Sequence, residues 1–568
     1  MKRFLVLLLC LLLALSPMAL IGCGPSGDGD GGVLDGKQEE IDESKTQVFV
    51  GVQQCGVGLT FADNLDEAYE ALNPNVQIII DPMDSSGDGP SKLTTILDDR
   101  QDISFMCNFT ASDFIKTNEA LTLLADITDV VTAENVIGTK SIHEAMYKQD
   151  KNYHNFGTED APKYFSLPWF TSFMSTTYDV KLFEDNDLYY LSGYKGLDGV
   201  TSQDDQWGPD GVSGTYDDGF PATWKDMQLL LVVMKRDYNI IPFTWTAYPG
   251  YLPSWMSFVW ASYEGASNYE ILQTFDGTYT YKDLQGAVHT QTITEDNGYL
   301  LAAQNGKLAA LKTVEYLWKN GMVTPISADA SSVYGNKTTQ QTYLESCETG
   351  TPIAFLNEGS YWEAEAKEYF DEMAKDDSSY AYGEREFAFF PWPKYIGSAS
   401  EGIPDQINTK RTLLSGSVQD LSTAVVIKKN SQVLTEAKDF LKFAYSSQGN
   451  ANFLRDSGLL RPFDYDESII TEEYFTTLTP YQRSLYTVAT EENVERITGA
   501  NRTGLMKEGG DYIKGMCSFN VTYGIGSYSS PLVAFRQNPD LTAEKYIEAV
   551  RSTYTQQAWI DAFFSSSK

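Results

Sequence analysis

Residues 47–106 alternate two hydrophobic periods, and that alternation restricts the chain to very few architectures. Residues 47–52 (QVFVGV) read as a strand, a Gly56-Val57-Gly58 turn follows, and 61–72 carries a helical pattern. Residues 76–81 (VQIIID) are a second apolar run. Past Gly89-Pro90, Leu93, Ile96 and Leu97 mark a helix at i, i+3 and i+4, and 102–106 (DISFM) closes a third strand. Strand, helix, strand, helix, strand is the order of a parallel sheet with helices on its faces, because each return must lie over the sheet. Sheets of this kind take their ligands beyond the carboxyl ends of the strands.

The rest of the chain is longer and less regular. Leu167-Pro168-Trp169 precedes a strand and then 178–183 (YDVKLF), followed by a polar insertion over 188–219. Helical patterns cover 223–237 and 300–320, the latter through Leu301, Leu308, Leu311 and Leu317. Short strands are expected at 353–356 (IAFL), at 387–390 (FAFF) before Pro391-Trp392-Pro393, and at 423–428 (TAVVIK). Val433, Ala437, Phe440, Leu441 and Ala444 then form the apolar stripe of a helix that stops near Gly449. No internal repeat or heptad pattern is present. At 568 residues the chain can build two or three cores.

Charge removes several functional classes. With 42 Lys+Arg against 78 Asp+Glu the formal charge is −36, so the surface repels phosphate backbones and anionic membranes. The only histidines, His143, His154 and His289, form no His-x-x-x-His pair, which argues against histidine metal sites and most His-dependent acid/base catalysis. Aromatic residues make up 13% of the chain, a surplus suited to gripping flat apolar faces.

The N-terminus reads as an address. Met1-Lys2-Arg3 precedes an unbroken apolar run over 4–15, too short to span a bilayer comfortably, and 1–22 is expected to be a signal peptide. Leu20-Ile21-Gly22-Cys23 resembles the bacterial lipobox, which makes Cys23 a lipidated N-terminus. The Gly/Asp-rich run over 24–36 belongs to a flexible tether, 23–45, leading to the first strand. The chain is thus expected at the outer face of the bacterial cell membrane, held only by its lipid. Four further cysteines, Cys55, Cys107, Cys347 and Cys517, have no C-x-x-C spacing; two disulfides are permitted, and free buried thiols are favoured.

Several segments, in order, carry a likeness: 86–105 (SGDGPSKLTTILDDRQDISF); Leu167-Pro168-Trp169 through Tyr178-Asp179-Val180-Lys181-Leu182-Phe183; and Pro221-Ala222-Thr223-Trp224-Lys225-Asp226-Met227. To these are added Glu358-Gly359-Ser360-Tyr361-Trp362, 387–394 (FAFFPWPK) and 436–462 (EAKDFLKFAYSSQGNANFLRDSGLLRP). Together they resemble the extracellular solute-binding lipoproteins of ABC transporters, in the large sugar-binding class that includes maltose-binding protein. Asp179 and Val180 stand where that family's Tyr-Asn-Lys-x-Leu-Phe element has Asn and Lys. From the residues alone, Thr223 can cap a helix, with Asp226 completing a capping box.

The resemblance implies an α/β, two-lobed periplasmic-binding-protein type II fold with discontinuous lobes, hinge strands and a central ligand cleft. Residues 46–168 plus 393–424 are expected in one lobe and 175–390 plus 428–568 in the other. A sugar presents an apolar face and a hydroxyl rim, so its site needs aromatic platforms beside carboxylates or amides. Tyr361 falls at the family's stacking position with Trp362 beside it, and one of the two is expected in the cleft and the other in the core, since adjacent residues point opposite ways. Trp169 is a further platform or a packed hinge residue, Trp245 and Tyr248 a further pair, and Asp84 and Glu358 are hydroxyl acceptors or solvated loop carboxylates. In the insertion, Asp204, Asp205, Asp210, Asp217 and Asp218 crowd among glycines, which suits a structural Ca²⁺ ion; a solvated turn is the alternative.

The leading expectation is a monomeric, non-enzymatic receptor that captures a carbohydrate, most naturally an oligosaccharide, and delivers it to an ABC permease, with no cofactor required. The alternatives are a secreted glycoside hydrolase, or the same receptor fold carrying a non-sugar solute such as a peptide.

Overall fold

The computed structural model describes residues 40–53, 57–83, 100–109, 122–189, 207–246, 251–328, 335–397, 401–415, 422–466, 468–491, 493–498, 510–519, 528 and 530–564. The signal peptide, Cys23, Cys55 and the helix expected after Pro90 lie outside them. Twelve strands are defined: β1 (Thr46–Gln53), β2 (Val76–Met83), β3 (Ile103–Phe109), β4 (Phe173–Asp179), β5 (Ile241–Thr244), β6 (Gly277–Lys282), β7 (Val288–Ile293), β8 (Ile353–Gly359), β9 (Phe387–Phe389), β10 (Arg411–Ser415), β11 (Ser422–Ile427) and β12 (Val494–Thr498). They form two main sheets and the β6–β7 hairpin.

The first sheet has the order β11-β3-β1-β2, with β1 parallel to both neighbours and β11 antiparallel to β3. Val48, Val50, Val52, Ile78, Ile103 and Phe105 are buried in it. Both faces are covered, which is why its strands read as continuous apolar runs instead of alternating. The helix Thr60–Leu72 packs through Phe61, Leu65 and Tyr69, and Tyr69 meets Phe440 edge-on at 5.2 Å while Phe61 meets Phe453 at 5.2 Å. These rings bring the helices Leu434–Ala444 and Ser447–Ser457 onto the first sheet. Each large apolar side chain so buried contributes about 1.5–3 kcal/mol.

The second sheet runs β12-β10-β4-β8-β5, with β9 also pairing on β4. β5 is parallel to β8, β10 is parallel to β12, and β4 runs against both of its neighbours. β5, β8, β10 and β12 therefore share one direction. Helices Trp224–Asp237, Tyr251–Glu264 and Asn305–Lys319 cover one face. The last two approach so closely that a Cβ on Gly306 would lie 2.6 Å from the Trp260 ring. The capping box is complete: Asp226 N donates to the Thr223 hydroxyl at 3.2 Å, and Thr223 N donates to the Asp226 carboxylate at 3.0 Å. Residues 178–183 are a strand end turning into the helix Val180–Asp185, because Asp179 accepts from Leu182 N and caps it.

The lobe boundaries differ from the expectation in two places. Residues 411–415 pair within the second sheet instead of joining the first lobe, and 434–457 pack on the first lobe instead of the second. The last passage between the lobes lies at about 458–480 instead of 425–427, before β12 returns to the second sheet. Leu167 N donates to Val425 O on β11 at 3.0 Å, so 168–172 is a crossing into β4. Thr171 N donates to Leu460 O at 2.8 Å, and Trp169 N and Phe170 N donate to the Thr423 hydroxyl at 3.0 and 3.2 Å. The Thr171 and Ser415 hydroxyls also meet. The crossings are thereby laced into one hinge. Cys347 and Cys517 are free thiols, and no helix among the described residues is long and apolar enough to cross a membrane.

Candidate functional site

The crossings dictate which edges of the sheets confront one another. Ser422 opens β11 beside Phe109, at the carboxyl end of β3. Ser415 closes β10 beside Phe173, and Met174 pairs with Gly359, where β8 ends. Only residues 416–421 separate Ser415 from Ser422, so the carboxyl edges of both parallel sets meet across the hinge. That is the position where parallel sheets collect ligands.

On the second lobe this edge is formed by the exits of β5 and β8. The hydroxyls of Thr244 and Thr324 lie 2.8 Å apart, and Ser327 accepts from Trp245 N at 3.0 Å and donates to Trp245 O at 3.0 Å. This hydroxyl knot fixes the end of β5. Beside it, Trp255 Nε1 donates to Thr176, whose hydroxyl donates to the Asn357 side chain at 2.9 Å. The end of β8 is tied to the hinge itself: Ser360 N donates to Phe173 O at 3.0 Å, and Phe173 N donates to the Ser360 hydroxyl at 3.1 Å. One residue later, the Tyr361 ring lies over Gly359, where a Cβ would stand 2.4 Å from its Cε1. Only glycine admits that ring. The Tyr361 hydroxyl reaches the Glu358 carboxylate at 3.5 Å, and Gly359 N donates to the same oxygen at 3.0 Å. The result is a half-buried phenol held close to the end of β8.

Of the described residues expected to bind, Tyr361 stands partly open, at the end of β8. Trp362 is fully buried and belongs to the core: it opens the helical turn Trp362–Glu365 and packs among Phe387 at 5.1 Å, Tyr481 at 5.5 Å and Tyr343 at 5.9 Å. Trp169 is likewise core, fully buried against Phe105 at 5.6 Å and Phe61 at 5.9 Å, which is the packed-hinge alternative. Trp245 is stacked within 12° of Trp255 and buried with it, so it is no open platform. Glu358 is a buried carboxylate beneath Tyr361, not a solvated acceptor. Asp84 and Tyr248 lie outside the described residues.

Asp217 accepts from Asp210 N at 2.8 Å and from the Thr215 hydroxyl at 2.8 Å, Asp210 accepts from Val212 N at 2.6 Å, and Asp218 accepts from Gly214 N at 2.7 Å. Asp210, Asp217 and Asp218 thus accept from donors of their own loop. Among the described residues no group of three or more His, Cys, Asp or Glu could hold a metal; Asp204 and Asp205 lie outside them. Burial lifts the Asp217 carboxyl to about 6. Sequence reasoning missed the Ser360 clasp and the Thr244–Thr324–Ser327 knot, since isolated hydroxyl residues carry no sequence signal of their partners.

Residues 56–451 match the family described as Bacterial extracellular solute-binding protein. Among solved structures, a maltose-bound MalE3 of T. maritima has a TM-score of 0.51 at 14% identity, over 90% of this chain and 99% of that one. A chitin oligosaccharide binding protein has a TM-score of 0.51 at 13% identity, over 91% and 99%. The GacH receptor of Streptomyces glaucescens, solved free and with acarbose, has a TM-score of 0.50 at 11% identity, over 92% and 100%. At such identities the likeness is one of fold. No curated protein matches the sequence. With its matched profile covering most of the chain and its two sheets confronting one another across a laced hinge, this chain belongs to the bacterial extracellular solute-binding proteins and has their two-lobed fold.

Proposed function

We propose that the protein is the receptor of an ABC importer, capturing an oligosaccharide between its lobes and passing it unaltered to the transmembrane subunits. The observation that carries this reading is the half-buried Tyr361 ring, close against Gly359 at the confronting carboxyl edges, with the Ser360 clasp beside it and the Thr244 knot at the end of β5. An aromatic face next to hydroxyl-rich strand exits matches the apolar face and polar rim of a sugar. The solved structures of like fold are a maltose-bound MalE3, a chitin oligosaccharide binding protein and the GacH receptor with acarbose, which supports the same class. On this reading the protein acts as a monomer and without a cofactor, and a signal peptide over 1–22 and lipid on Cys23 keep it at the outer face of the membrane.

The test is a calorimetric screen of the purified protein against mono- and oligosaccharides, with the recovered sugar checked for cleavage. One oligosaccharide should bind and return intact, and Tyr361→Ala should weaken it about tenfold or more, the loss of one stacked ring. Cleavage of the sugar, or binding indifferent to Tyr361→Ala, would reject the assignment.

A further inference from the structure

A second opening lies between the lobes, separated from the Tyr361 turn by β4 and β10, because its second-lobe wall is β12 at the far edge of the sheet. Its first-lobe wall is the segment around Tyr147 together with Asp464. The two meet there because Tyr147 N donates to Pro462 O and Asp464 N donates to Ala145 O. The cavity measures about 380 Å³, within the range of small-solute sites.

Its lining runs against the character of the molecule. In a chain of formal charge −36, three cations, Lys148, Lys151 and Arg496, gather around one cavity with two carboxylates, Glu144 and Asp464. Glu144 is already engaged, accepting from Ser141 N at 2.8 Å and from the Ser141 hydroxyl at 2.9 Å in a capping box. Asp464 stands 3.9 Å from Arg496. Lys151 leans to Glu159 at 3.3 Å, whereas Lys148 is exposed, makes no hydrogen bond or salt bridge to a described residue, and lies within electrostatic reach of Glu270, which accepts from Gln149 at 2.9 Å. The Arg496 guanidinium lies 4.7 Å from the Tyr147 ring centroid and donates to Ala489 O, and its Nε is buried without a partner among the described residues. Lys148, Lys151 and Arg496 thus bring positive charge to the cavity from both lobes, while Glu144 and Asp464 are each engaged at its wall.

We propose that this cavity is a second ligand site, taking a small solute that carries an oxyanion, either phosphate or carboxylate. Lys148 and Lys151 grip it from the first lobe and Arg496 from the second, so the ligand bridges the lobes outside the sugar cleft. Charge-assisted donors of this kind favour a planar or tetrahedral oxyanion over a neutral hydroxyl.

Isothermal titration of the purified protein with inorganic phosphate and, separately, with glucuronate tests it, each against sodium chloride at equal ionic strength. Saturable binding of phosphate alone assigns a phosphoryl ligand, and of glucuronate alone a carboxylate ligand; binding of both assigns the shared oxyanion. Lys148→Glu, at an exposed position that does not endanger folding, should weaken binding about tenfold or more while leaving oligosaccharide binding intact. Arg496→Lys should also weaken it by removing the planar fork. The proposal is overturned if neither anion binds beyond the chloride control, or if Lys148→Glu binds like the parent protein. Either outcome leaves the sugar reading standing or falling on its own test.

Discussion

Asp179 holds two elements at once. One carboxylate oxygen caps the helix Val180–Asp185 through Leu182 N, and the other accepts from Arg385 at 2.7 Å with both side chains almost wholly buried. Arg385 also donates to Leu344 O at 2.8 Å and lies 4.9 Å from the Phe387 ring centroid, which fastens the approach of β9 to β4. Here lies the physical meaning of an aspartate where the resembling family has asparagine: this chain supplies a buried guanidinium to pair with it. Removing one member of a buried pair leaves an uncompensated charge and costs about 3–5 kcal/mol. Arg385→Ala should lower the urea midpoint by a matching amount, and an unchanged midpoint would show that the pair contributes nothing. The same scale explains the tryptophans. Trp169, Trp245 and Trp362 carry the same sequence signature as a cleft platform, but each found aromatic neighbours that no single sequence lists, whereas Tyr361 stays half-buried.

At the scale of elements, the capped helix Trp224–Asp237 offers a clean test. Thr223→Ala removes the acceptor for Asp226 N and should cost about 1 kcal/mol in urea unfolding; a change near zero would contradict the box. This helix was legible in the sequence because its cap and its apolar spacing agree. So were β1 to β3, β8 and β11, whose strands are unbroken apolar runs in buried surroundings. β5, β10, β12 and the β6–β7 hairpin were not. β12 (VERIT) is a polar edge strand whose pairing with β10 is decided by the hinge, and the hairpin alternates Thr and Tyr over a half-exposed face. The helices Leu434–Ala444 and Ser447–Ser457 were legible as helices but assigned to the wrong lobe, because periodicity reports a buried face and not the partner that buries it. Missing that partner placed the last crossing about thirty residues too early.

Among the described residues burial raises six carboxyls together: Asp217 to about 6, Asp150, Glu264 and Glu491 to about 7, Glu363 to about 8, and Glu270 above its ordinary value. The folded state then binds more protons than the unfolded chain from about pH 5 upward, so stability must fall as pH rises through that range. Lys307, lowered by burial to about 7, works in the opposite sense, but only above that pH. Titration toward the pI of 4.4 also relieves self-repulsion. The melting temperature should therefore be higher at about pH 5.5 than at about pH 7, and a profile that rises between them would overturn the sign. The same two-lobed frame leads to the central claim, that the confronting carboxyl edges close on a sugar. Small-angle X-ray scattering with and without the oligosaccharide found by calorimetry tests it most directly. The account predicts a smaller radius of gyration in the complex than in the free protein, and an identical radius with sugar bound would contradict it.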